Sequence, residues 1–206
     1  SSMLTYLPMG IFSKIFVILF FYNFIEARPI SYSGGHTLMH FNDSMKESIY
    51  YHFSPTYKYS IGLETLNNKE FGKHESNIRF TYLINRQNTK NSQRNLYFQS
   101  AVSANDNNYI YGIHGDWETR RYFVGFDYKE VKNIIDFTDK YVQIGMAPYL
   151  GEYGDLHTWL MIKTKKNSIN NKQITYPVIK FFKGSALLEL GYHKKTDWDV
   201  HLMYRF

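Results

Sequence analysis

The feature that most limits what this chain can become is an alternation of period two that runs to its last residue. From Asp197 on, Trp198, Val200, Leu202, Tyr204 and Phe206 fall on one face of an extended strand. Asp197, Asp199, His201 and Arg205 fall on the other, with Met203 the one apolar residue among them. The same two-faced pattern recurs upstream. Ile49, Tyr51 and Phe53 alternate with Tyr50 and His52, and Tyr57, Tyr59, Ile61 and Leu63 alternate with Lys58, Ser60, Gly62 and Glu64. Ile78, Phe80, Tyr82 and Ile84, then Tyr122, Val124, Phe126 and Tyr128, then Val142, Ile144 and Met146 repeat it.

Such strands need something dry on one side. A soluble sandwich would supply it with a shared core of Val, Ile and Leu. Here the apolar positions are heavily aromatic, in a chain with 19 Tyr and 16 Phe, 18% aromatic overall. Aromatic rings suit the boundary between lipid and water, where one end of the ring is wet and the other dry. The opposite face carries Arg, Lys, Glu and His beside Gly, Ser and Asn, as a hydrated or salt-bridged lumen would. In hydrocarbon every backbone polar group needs a partner, so strands of this kind must close on themselves. The expected fold is therefore all-β: an antiparallel transmembrane barrel of about twelve strands, with ten to fourteen as the bracket, each near the length needed to cross a bilayer at a tilt. Mean hydropathy is −0.42, which implies no helical membrane protein but suits a barrel, whose apolar residues are diluted by every second position.

The first strand is expected at His36 to Phe41, pairing with the last to close the barrel. Turns are expected at Ser54-Pro55-Thr56, Gly115 to Glu118, Gly151 to Asp155 and Lys183-Gly184 on one end. Longer polar loops are expected around Asn67, Asn105, Lys132 and Asn167 on the other, with Gln87 to Gln93 too long for the end it falls on. Lys129, Glu130, Lys132, Asp136 and Asp139 are read as belonging to a polar loop.

Upstream of all this lies an apolar run, Ile11 to Ile25, with Lys14 in front of its core and Ala27 behind it. That is the pattern of a secretory signal peptide over residues 1–27, leaving one domain, 28–206. The formal charge of +6 and pI of 9.2 suit contact with anionic lipid such as lipopolysaccharide. No clustered basic helix accompanies the charge, so nucleic acid is not an expected partner. Absence of cysteine removes thiol chemistry and thiolate metal sites. No cofactor is expected, and the chain reads as a monomer.

Alternation places a polar cluster in the lumen: Arg79, Glu118, Arg121, Asp127, His157, Lys163, Glu189, His201 and Arg205. Mixed charges on an inner face pair with one another, or pass a polar solute or ion. Eight His and seven Met raise a metal reading as well, since imidazole and thioether suit copper. The candidates are His36, Met39 and His40 near the lumen entrance and His193 with His201 on adjacent strands. For an enzyme, Ser48 with His52, His157-Thr158 and Ser185 with His193 supply residue types for lipid hydrolysis, but no third group completes them. The expectation is a non-enzymatic narrow channel or structural envelope component. A lipid-modifying enzyme and a periplasmic metal-binding module are the alternatives.

Two resemblances go with these residues. The closing strand and its terminal Phe206 resemble the C-terminal strand by which bacterial outer-membrane barrels are recognised by their assembly machinery. Gly35-His36-Thr37-Leu38-Met39, Asn42-Asp43-Ser44, Ser54-Pro55-Thr56, Asp116 to Phe123, Ala147-Pro148-Tyr149, Gly154 to Leu160 and Phe181-Phe182-Lys183-Gly184 resemble a group of uncharacterised proteobacterial outer-membrane proteins. That resemblance implies the outer membrane. Through the copper and heavy-metal efflux systems near which such proteins are encoded, it also implies a part in metal tolerance. It assigns no residue.

Overall fold

The computed structural model describes residues 28–133 and 136–206; the leader expected over residues 1–27 lies outside the described residues. Twelve strands follow one another without a described helix between them. They are β1 Gly35–Asn42, β2 Lys46–Thr56, β3 Tyr59–Asn68, β4 Lys73–Asn88, β5 Ser92–Ser103 and β6 Tyr109–Thr119. The second half is β7 Tyr122–Lys132, β8 Phe137–Met146, β9 His157–Asn167, β10 Gln173–Lys183, β11 Ala186–His193 and β12 Asp197–Arg205. Each pairs antiparallel with its sequence neighbours, and β1 pairs with β12, so the sheet is a closed barrel with no free edge. The seam has Thr37 opposite Arg205 and Met39 opposite Met203, and His36 and Phe206 exchange backbone hydrogen bonds of 2.9 and 3.0 Å.

Alternation sorts the side chains as expected. Leu63 is 63% exposed and Ile144 51%, while their lumen-side neighbours Glu64 and Gln143 are buried. The registers stack the outward rings into two girdles. Phe53, Tyr82, Trp117, Tyr122, Tyr204 and Phe206 lie toward the end that holds Phe206. Tyr109, Tyr111, Tyr128, Tyr192 and Trp198 lie toward the opposite end, with Leu, Ile and Val between. The lumen is partly a packed core. Met39, Tyr50, Leu187 and Met203 form one buried cluster, and Phe123, Met161, Tyr176 and Val178 another. Glycines on the inner face make room for these large side chains. A Cβ on Gly62 would stand 2.2 Å from the Tyr51 carbonyl and 2.6 Å from the Tyr50 ring.

Several expected boundaries move, most because a strand runs on through residues whose polar or turn-forming character reads as a connection. β2 continues through Ser54 and Pro55 over a bulge, and its turn is at Tyr57-Lys58. β6 includes Gly115 to Glu118 and turns at Arg120-Arg121. Gln87 belongs to β4, so the connection there is only Thr89-Lys90-Asn91. Lys129 and Asp139, read as loop, are paired across β7 and β8. The longest connection, 147–156, lies at the Phe206 end, where short turns were expected.

Candidate functional site: the charged lumen

Inside the barrel lies a water-accessible cavity of about 170 Å³. Its walls carry Lys46, Arg79, Lys129, Lys163, Lys165 and Lys180 against Asp43, Glu64, Asp116, Asp127, Asp139, Glu189 and Asp199, six formal positive charges and seven negative. Away from the Phe206 end, two ion pairs cross the lumen. In the β1–β2 turn, Asp43 accepts the Met45 and Lys46 backbone N–H groups on one carboxylate oxygen at 2.8 and 2.9 Å, which fixes the other. That second oxygen meets Lys165 Nζ of β9 at 2.6 Å. Lys46 Nζ at the start of β2 stands 3.6 Å from Asp139 on β8, the strand diametrically opposite in the ring of twelve. We call these two pairs the clasp. Burial alone would raise the Asp43 carboxyl, but Lys165 and Lys46 outweigh it and hold the group well below the usual carboxylate range.

Deeper in, every acid has several partners. Glu64 accepts from Ser48 Oγ at 2.6 Å and Arg79 Nη1 at 3.1 Å, and the Arg79 guanidinium lies 4.2 Å from the centre of the Tyr50 ring. Asp127 takes Gln99 Nε2 at 2.8 Å, His114 at 3.3 Å and Lys129 at 3.4 Å. Glu189 takes His201 Nδ1 at 2.8 Å, Gln143 Nε2 at 3.0 Å and Lys180 at 3.7 Å. Asp199 takes Lys163 at 3.1 Å, Lys165 at 3.7 Å and the Tyr176 hydroxyl. These networks hold the charges of the wall in place.

At the Phe206 end the lumen is floored. The chain before β1 turns inward there, and Ile30, 2% exposed, packs with Leu83 and Tyr97. Arg28 Nη2 meets Glu118 Oε1 at 3.2 Å, and Arg205 Nη2 donates to the Arg28 carbonyl at 3.1 Å.

Of the residues expected in the lumen, Arg79, Asp127, Lys163, Glu189 and His201 line the cavity, while Glu118 and Arg205 belong to the floor. His157 sits at the Phe206-end rim, its ring 6.5 Å from Phe182. Arg121 does not join them; it lies exposed in the β6–β7 turn, because β6 is longer than its polar tail suggested. The metal candidates do not converge. His36 points outward at the seam, stacked on Phe206 at 5.6 Å, and His40 faces outward to Glu47 at 3.2 Å, whereas Met39 points inward. His201 is bonded to Glu189, and His193 Nδ1 accepts the Lys195 backbone N–H at 3.2 Å. No group of three potential metal ligands occurs among the described residues. Nor do the hydrolase residue types meet: Ser48 bonds Glu64, Thr158 Oγ1 lies 2.8 Å from the Tyr149 hydroxyl, and Ser185 and His193 stand at opposite ends of β11.

Sequence reasoning missed Asp43, Lys46, Lys165 and Asp139 of the clasp. Lys163 and Lys165 do share the inner phase of β9, so the signal for one was present for both. Arg28 to Ser31 left no signal.

These features define a class: a closed twelve-stranded antiparallel barrel, apolar and aromatic outside, charged within. Two solved porin structures have a similar fold. A KdgM porin in complex with disordered oligogalacturonate matches with a TM-score of 0.55 at 12% identity, over 84% of this chain and 99% of that one. A second KdgM porin structure matches with a TM-score of 0.53 at 13% identity, over the same 84% and 99%. The chain shares their fold. No family model and no curated protein matches the sequence.

Proposed function

We propose that the protein is a narrow, porin-like channel of a bacterial outer membrane that passes small polar solutes or ions. The observation that carries this is the charged cavity of about 170 Å³ within a wall whose other face is apolar and aromatic. The charges are nearly balanced and mostly paired, which favours weak ion selectivity over an anion trough. The acidic saccharide bound by one KdgM porin is therefore not extended to this chain. The belt contacts membrane lipid and, through the chain's positive balance, lipopolysaccharide; Phe206 is the handle for assembly; the barrel works as a monomer and without enzymatic activity. A part in metal tolerance has no residue grouping behind it.

The clasp favours a second reading, a braced barrel that strengthens the envelope without conducting. Outer-membrane fractionation with heat-modifiable gel mobility tests the location. Single-channel recording in planar bilayers then separates the two readings. Small, weakly selective currents are expected, and a folded barrel that passes none would refute the channel.

A further inference from the structure

We infer that residues Arg28 to Ser31 form a seated gate, a stretch of chain that closes the lumen at the Phe206 end until it is displaced. The inference rests on the channel reading and concerns the regulation of that same lumen. The stretch spans the floor from wall to wall. The Ser31 backbone N–H donates to Ser54 Oγ of β2 at 2.9 Å, and Ser60 Oγ of β3 donates to the Pro29 carbonyl at 3.1 Å. Ile30 packs on Leu83 of β4 and Tyr97 of β5, Arg28 pairs with Glu118 of β6, and Arg205 of β12 holds the Arg28 carbonyl. Six strands thus converge on four residues.

The bed beneath it is unlike a permanent core. Thr37, His52, Ser54 and Ser60 are all 0% exposed, and Thr81 is 2%. These are small hydroxyls and an imidazole where the neighbouring β11 and β12 carry Leu187 and Met203. Ser31 Oγ and, on the adjoining wall, Thr37 Oγ1 and both ring nitrogens of His52 have no hydrogen-bond partner within the protein. Buried polar groups without partners oppose the seated state, and water would satisfy them on release. Ile30 is the one apolar anchor pulling the other way. A wall of hydroxyls, once vacated, is also the surface that a water-filled passage needs. A displaceable stopper accounts for both facts; a fixed floor accounts for neither.

The chain has no cysteine, so the gate can be locked with one engineered pair. Ser31→Cys with Ser54→Cys is recorded in planar bilayers oxidised, then after dithiothreitol on the same membrane. Oxidation is expected to lower open probability by about tenfold, which reduction restores. Ile30→Asp, which removes the anchor, is expected to raise it by about tenfold, the factor that loss of roughly one buried side chain's burial energy gives. Failure of the pair to crosslink, or unchanged currents on locking and on Ile30→Asp while the wild type conducts, would overturn the gate and leave the channel standing. If folded wild type, Ile30→Asp and a chain lacking residues 28–31 all pass no current, the channel falls and the gate with it.

Discussion

Replacing Lys165 by Met should open and loosen the far end of the lumen, and the structure sets how much. Lys165 Nζ lies 2.6 Å from Asp43 Oδ2, with the side chains 19% and 12% exposed, and 3.7 Å from Asp199 Oδ2. At an effective dielectric near 20 the closer contact is an attraction of order 6 kcal/mol, most of it offset by the cost of drawing both ions out of water. Removing one partner of a buried pair costs about 3–5 kcal/mol. Asp43 keeps its two backbone donors and Lys46 nearby, so we expect a cost at or just below that range, about 2–3 kcal/mol. The Lys46–Asp139 contact is longer, 3.6 Å, and its side chains are 34% and 23% exposed. Asp139→Asn should therefore cost under about 1 kcal/mol. Urea unfolding in detergent micelles, followed by tryptophan fluorescence, gives both values, and a cycle with Asp43→Asn isolates the coupling. Single-channel conductance should rise more for Lys165→Met than for Asp139→Asn. A coupling energy below about 0.5 kcal/mol, or equal conductance in wild type and Lys165→Met, would refute the clasp as a brace and constriction.

The same pair sets an acid response. Because the folded Asp43 lies below its ordinary value of 3.8, its contribution is present above that value and is lost only as pH falls through the depressed one. Conductance should thus hold steady down through the ordinary carboxylate range in wild type, whereas in Lys165→Met the acid step in a pH titration of the current should move up toward that range. Leu63→Arg, on the lipid face at 63% exposure, should cost about 2–4 kcal/mol in refolding into bilayers, against little effect in a soluble sandwich. Gly62→Ala should destabilise by about 1–3 kcal/mol in the same assay, since its Cβ would meet the Tyr51 carbonyl at 2.2 Å. Deleting Phe206 removes its two backbone bonds to His36 and its stack on that ring, and should leave more unfolded protein on heat-modifiable gels.

Period two made most of this legible. It supplied the strand number, the two faces and the β1–β12 seam, because a strand with lipid on one side has no freedom to change phase. Strand ends were lost where the pattern outlives its chemistry. Glu118, Lys129 and Asp139 are polar because they face the lumen, and polarity was mistaken for a turn. Met203 looked like a fault in the last strand; it is inward because the lumen beside it is packed with Met39, Tyr50 and Leu187. The clasp was out of reach for another reason. Asp43 and Lys165 are 122 positions apart and meet only because the barrel closes.

The barrel's interior divides its labour along the axis, and this follows from where its stability has to come from. Lipid covers the outer face whether or not the strands are packed correctly, so apolar residues such as Leu63 and Ile144 favour insertion more than any one register. Uniqueness must be supplied from inside. Toward the Phe206 end it comes from buried contacts such as Leu187 on Met203, with Gly62 shaped to admit the Tyr50 ring. Toward the opposite end it comes from charge pairs that tie opposite walls together, as Asp43 and Lys165 do. A packed core cannot open without unfolding part of the barrel, whereas ion pairs and a short polar-bedded stretch can exchange their partners for water. Conductance variants should therefore separate by location: substitutions in the Leu187 and Met203 cluster should lower stability before they change current, and substitutions in the clasp should change current with a smaller loss of stability.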